Sequence, residues 1–166
     1  QTWTVPAGVT TVKLTVTGGG GGAGSSKSSG GGAGATAIKY LTVAPSGSIV
    51  ITIGAGGNPS NSSPSAGGST TAVYSGTTIT AGGGAGGNSR GGDGGYTSDG
   101  DINILGGTAI SPDGNTYSAM GGASYWGGGF STNYGDGPFG SGGNRFGHTT
   151  SEVNNKGGAG VVVIEY

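Results

Sequence analysis

Glycine in this chain gathers into near-continuous runs, at 18–22, 30–34, 54–57, 82–87, 91–95, 127–129 and 157–160. No other feature so restricts the folds open to it. Glycine supplies 45 of 166 residues, against a usual share of about 7 %. Each one held in place costs roughly 0.5–1 kcal/mol more than alanine, so the set costs on the order of 20–45 kcal/mol, several times an ordinary net stability. A folded chain must offset that cost. The runs keep no fixed period, and with only six prolines and no strict glycine at every third position a collagen triple helix fails; a solenoid or propeller fails for want of a repeat length. Two arrangements remain: irregular but ordered glycine-rich loops, and polyproline II, which is the one expected. Glycine runs adopt it with three residues per turn and about 3.1 Å rise, and helices without side chains can pack backbone to backbone, with amides bonding between segments. The runs are bracketed by β-branched stretches that would make poor flexible linkers.

Those stretches read as strands. Val12, Leu14 and Val16 alternate with Thr11, Lys13, Thr15 and Thr17, the period of a half-buried strand, and residues 6–8 break it from an earlier strand at 3–5. Residues 37–43 and 48–53 form strand, turn, strand around 44–47; 70–74 and 77–81 flank Ser75 and Gly76; the last strand is 160–166. No apolar helical spacing persists over two turns, so essentially no α-helix is expected. The expected fold is all-β: a small β-sandwich or jelly-roll-like base, its last strand near its first, carrying a polyglycine II helix bundle. At this length one domain, 1–166, is the natural division, with β-rich parts at 1–17, 37–53, 70–81 and 160–166 and a glycine-rich, loop-bearing region over about 82–159.

Composition excludes several functions. With 8 % charged residues, a net charge of -1 and scattered basic residues, the chain lacks the cationic footprint of nucleic-acid or anionic-membrane binding. No apolar run is long enough to span a bilayer as a helix, and no basic-then-apolar leader is present. Without cysteine there are no disulfides, thiol nucleophiles or thiolate metal sites. His148, the single histidine, lacks the spacing of a nucleophile elbow. Asp93, Asp99, Asp113 and Asp136 each precede glycine, the composition of tight turns rather than of a glycosidase pair. Asp99, Asp101 and Asn103 start like a calcium loop, but Ile104 and Ile110 occupy the positions of its glycine and glutamate, which leaves at most a looser calcium site. Non-enzymatic function, without cofactor or assigned metal, is the expectation.

Eight of the aromatic residues fall between 88 and 156. Tyrosine and tryptophan give large rigid contact area at low entropic cost, and nearby glycine, serine and asparagine give adaptable hydrogen bonding. Tyr117, Tyr125, Trp126, Phe130, Asn133, Tyr134, Phe139, Arg145 and Phe146 are therefore the candidate binding residues, with the plugging of gaps between glycine helices as the competing role.

Residues 5–9 leading to 13–16 and a glycine run, then 49–57, 79–84 and 157–166, resemble in order the glycine-rich domain of bacteriophage tail fibres and adhesins. The alternation of glycine motifs with variable segments is similar to the receptor-binding adhesins of T-even-like phages. That resemblance implies a virion protein at the tip of a tail fibre, acting at the host cell surface by attaching to an outer-membrane protein or a surface glycan. It further implies other fibre subunits as partners, with a homotrimer and a monomer both compatible, and no membrane insertion. It carries over no binding residues. A structural cap or trimerisation module is the alternative, and ice binding is disfavoured because no regular threonine or alanine face is present.

Overall fold

The computed structural model describes residues 1–24, 29–88, 90–110, 118–129, 137–146 and 153–166, leaving aside the side chains of Ser118, Phe146, Val153 and Asn154. In chain order its strands are β1 (Thr2–Thr4), β2 (Thr11–Thr17), β3 (Thr36–Thr42), β4 (Ser48–Thr52), β5 (Thr70–Tyr74), β6 (Thr77–Ala81), β7 (Ile102–Ile104), β8 (Ser118–Ala119), β9 (Gly121–Ser124), β10 (Gly127–Gly129), β11 (Arg145–Phe146), β12 (Val153–Asn154) and β13 (Val161–Glu165). The fold is all-β with antiparallel sheets, and no helix occurs among the described residues.

Two four-stranded sheets, ordered β1-β4-β5-β6 and β13-β2-β3-β7, form the sandwich. Alternation explains their packing: Val12, Leu14 and Val16 of β2 face Ile49 and Ile51 of β4, Ala72 of β5 and Ile79 and Ala81 of β6 in one buried cluster. The expected pairing of the ends holds, with Val161 opposite Thr17 and Glu165 opposite Lys13. The segments around Pro6 and Pro45 join strands of different sheets, so each crosses the sandwich. Only β5 and β6 form a hairpin of the expected kind, turning on Ser75 and Gly76, both with positive φ (46° and 82°), as the two-residue hairpin turn demands.

The glycine runs continue from these strands into a bundle. Amides of Gly18 and Gly21 donate to Ala35 and Gly32; those of Gly19 and Gly22 to Gly68 and Ser65; those of Gly20 and Ala23 to Gly158 and Asn155. Each partner is thus met at every third residue, the period of polyproline II and not of a β-strand. Carbonyls on the same segment accept from Gly84 and Gly87, from Gly57 and Ser60, and from Gly143. Segment 18–24 is therefore bonded to six surrounding segments. The same three-residue spacing links 82–85 to 93–96, 92–95 to 106–109, 107–110 to 120–123, 141–144 to 155–158, and 54–57 to 157–160. These bonds are the offset that the glycine cost requires.

Chain direction alternates from one segment to the next. Residues 18, 35, 54, 68, 82, 96, 106, 124, 140 and 160 lie at the sandwich end, while 24, 29, 60, 65, 87, 92, 110, 120, 144 and 155 lie at the opposite end. At about 3.1 Å per residue, the six steps of 18–24 separate the two ends by roughly 19 Å.

Candidate binding surfaces

Candidate aromatic residues fall at opposite ends of this bundle. Tyr125 and Trp126 form the tip of the β9–β10 hairpin at the sandwich end. Trp126 turns back over the outer face of β2: its indole Nε1 donates to Thr17 Oγ1 at 2.9 Å, and Thr17 Oγ1 lies 2.8 Å from Thr36 Oγ1 on the neighbouring strand. This docking explains why Thr15, Thr17 and Thr36, on the side of the sheet away from the core, are buried. Tyr125 stands edge-on to Trp126, ring centroids 5.0 Å apart at 89°. Ser124 fixes the turn, donating to the Phe139 carbonyl at 2.6 Å and accepting from the Trp126 amide at 3.2 Å.

Trp126 also walls an open depression of about 500 Å³, completed by Gly137, Pro138, Phe139 and Ala159. Tyr125, Trp126 and Phe139 are 48 %, 36 % and 54 % exposed, enough for a ring face or edge to meet a ligand. Beside them on the sheet, Lys13 pairs with Glu165 at 2.8 Å. That carboxylate raises the lysine pKa above its usual 10.5, with Tyr40 and Tyr125 adding to the effect.

Arg145 does not belong to such a surface. It is 4 % exposed within β11, which pairs with β12 and β8 at the far end of the bundle, so it is buried there and not part of the exposed set. Phe146 lies on the same strand. Tyr117, Phe130, Asn133 and Tyr134 lie outside the described residues, as does His148. Among the described candidates, Tyr125, Trp126 and Phe139 converge at the sandwich end, and β11 is at the other.

The far end carries residues that an aromatic criterion passes over. Asn61, Ser62, Ser63, Asn88 and Arg90 are exposed there, with Ile110 and Met120 paired beside them. Alternation of the glycine runs was the available signal, since antiparallel segments return every second connection to the same end. The suggested calcium loop has other uses for its oxygens. Asp101 accepts from Lys39 Nζ at 2.5 Å and from the Tyr40 amide at 2.9 Å, Asp99 accepts from the Thr80 amide, and Asn103 closes on Gly100. Lys39 and the Tyr40 amide hold the Asp101 pKa below its usual 3.8.

The architecture defines a class: an antiparallel β-sandwich whose inter-strand connections are drawn out into a hydrogen-bonded bundle of glycine helices. A family model for the glycine-rich domain matches residues 1–166, and the chain belongs to that family. A search of curated proteins found no match.

Proposed function

We propose that this chain is a non-enzymatic attachment module at the distal tip of a bacteriophage tail fibre, contacting a bacterial surface protein or glycan. The observation that carries this reading is the up-and-down bundle. Among the described residues it brings Ser60 to Ser63, Asn88 and Arg90 to one end, away from the sandwich, as a polar and largely exposed set. Rigid scaffolds that present variable polar loops together are the usual architecture of binding modules. Exposed rings at Tyr125, Trp126 and Phe139 add a second contact area at the sandwich end.

The test is adsorption. Purified chain should coat host cells and compete with phage for them, and the double variant Asn88→Ala/Arg90→Glu should lose at least about tenfold in cell affinity, roughly 1.4 kcal/mol, while its circular dichroism is unchanged. A folded chain that binds no cell surface in a broad bacterial panel would end this reading.

A capping or trimerising module is favoured by one feature. Tyr96 and Leu105, both largely exposed, sit opposite one another where Gly95 bonds Gly106, close to exposed Ile102, an apolar strip suited to a subunit contact. Under that alternative, Leu105→Glu abolishes fibre assembly and leaves cell binding by the isolated chain intact.

A further inference from the structure

We infer that the depression between Trp126 and Phe139 is a subsite for one uncharged sugar ring. The inference takes from the attachment reading only that a cell-surface glycan is within reach; its chemistry comes from the walls of the site. Three properties of those walls select the occupant. First, two exposed aromatic rings and the apolar ring of Pro138 line the opening. Aromatic faces carry negative charge density and attract polarised C–H groups as well as apolar surface, which suits the axial C–H face of a hexopyranose.

Second, the site holds unspent hydrogen-bond donors. Among the described residues the amides of Gly137, Phe139 and Ala159 have no acceptor. For Ala159 the direction follows from the three-fold helix. Asn155 and Gly158 donate to Asn144 and Ser141, and Gly157 and Gly160 donate to Gly57 and Gly54; the remaining row, Lys156 and Ala159, faces away from both neighbours. An occupant that covered these amides without supplying acceptors would cost roughly 1–3 kcal/mol for each. A purely hydrocarbon side chain is thereby disfavoured, and a ring bordered by hydroxyl oxygens is favoured.

Third, among the described residues no charged side chain lines the depression, so none of them compensates the desolvation of an ionised ligand. One neutral ring meets all three conditions.

Trp3 and Trp126 are the only tryptophans, so Trp3→Phe leaves Trp126 as the sole tryptophan, excited selectively over the tyrosines. That variant is titrated with lactose, maltose and diacetylchitobiose, with sialyllactose and a proline-rich decapeptide alongside. The expected result is saturable Trp126 emission change with at least one neutral disaccharide, with Kd on the order of 1 mM, insensitive to added salt, and weakened about tenfold or more by Phe139→Ala. Should Trp3→Phe fold poorly, saturation-transfer NMR on the unmodified chain replaces it, with contacts expected on the sugar C–H face and lost in Phe139→Ala. Absence of saturation with every neutral sugar overturns the inference. So does saturation by sialyllactose alone that falls with salt, or by the peptide alone. Cell binding without sugar binding removes this subsite and leaves the attachment role standing; sugar binding without cell binding does the reverse.

Discussion

A methyl group placed on Gly20, Gly31, Gly84 or Gly142 would stand closer than 3.0 Å to the backbone of an adjacent segment, respectively at Ser141, Gly21, Gly32 and Gly31. None of these four has the positive φ that requires glycine. They are glycine because another segment of the chain occupies the space where a side chain would be. Gly142→Ala should therefore cost more than about 3 kcal/mol or abolish folding, since rigid backbone and not a flexible side chain must give way. Gly128 has nothing within 4 Å, and Gly128→Ala should stay within about 0.5 kcal/mol of the parent by chemical denaturation. Gly76 is the other kind, in open space but with φ of 82°; there alanine should cost roughly 1–2 kcal/mol through strain alone. At Asp101 the effect is on pH dependence. Its lowered pKa means its contribution is full above the usual value of 3.8 and is lost as pH falls through the lower folded value. Asp101→Asn should flatten the fall in melting temperature on acidification below that pH. Lys13 has the opposite sign: its raised pKa supports the fold below 10.5 and ceases to do so as pH climbs through the higher folded value.

Among elements, the β9–β10 hairpin is held in the bundle by backbone bonds at Gly122 and Ala123, and its tip is docked on the sandwich by a side-chain bond chain. Thr17→Val removes the acceptor of Trp126 Nε1 and the partner of Thr36 Oγ1, both at a buried threonine pair. The loss should be about 1–3 kcal/mol, with a red shift of Trp126 emission as the indole is released to water. This hairpin also marks where sequence reading stopped. The long strands were legible because Val12, Leu14, Val16, Ile49, Ile51 and Ile79 alternate strictly toward one core. Likewise the glycine helices were legible from entropy, since nothing but backbone bonding could offset so many ordered glycines. Strands β7 to β12 were not: they are two to four residues long, β9 and β10 are largely glycine, and only tertiary placement, on β3 for β7 and around the bundle for the rest, pairs them. Arg145 read as a binding candidate because it adjoins Phe146 in an aromatic stretch rich in glycine and asparagine, yet its side chain is buried, a matter of tertiary placement with no local pattern. Tyr125, Trp126 and Phe139 were found as binding candidates by type, but Pro138 and Ala159 enter the site only through tertiary placement, for which no local pattern exists.

At the scale of the whole molecule, cohesion resides in backbone bonds more than in apolar burial. Heat-capacity change on unfolding follows exposed apolar area, so calorimetry should give less than the usual ~12–15 cal/mol/K per residue. Deleting residues 155–166 should abolish folding, because that stretch supplies both β13 and a segment bonded to 18–24, 54–57 and 141–144. Pairings of such wide sequence separation also predict slow refolding, on the scale of milliseconds to seconds or longer. The bundle has one more consequence, for load. A pull between its far end and the sandwich runs along the helix axes, while the bonds between segments lie across them. No helix can slide past its neighbours without shearing a whole row of bonds at once, and the central one is gripped from six sides. Peeling one bond at a time is unavailable. Traction is thus shared among many individually weak links, which makes the domain an inextensible tether.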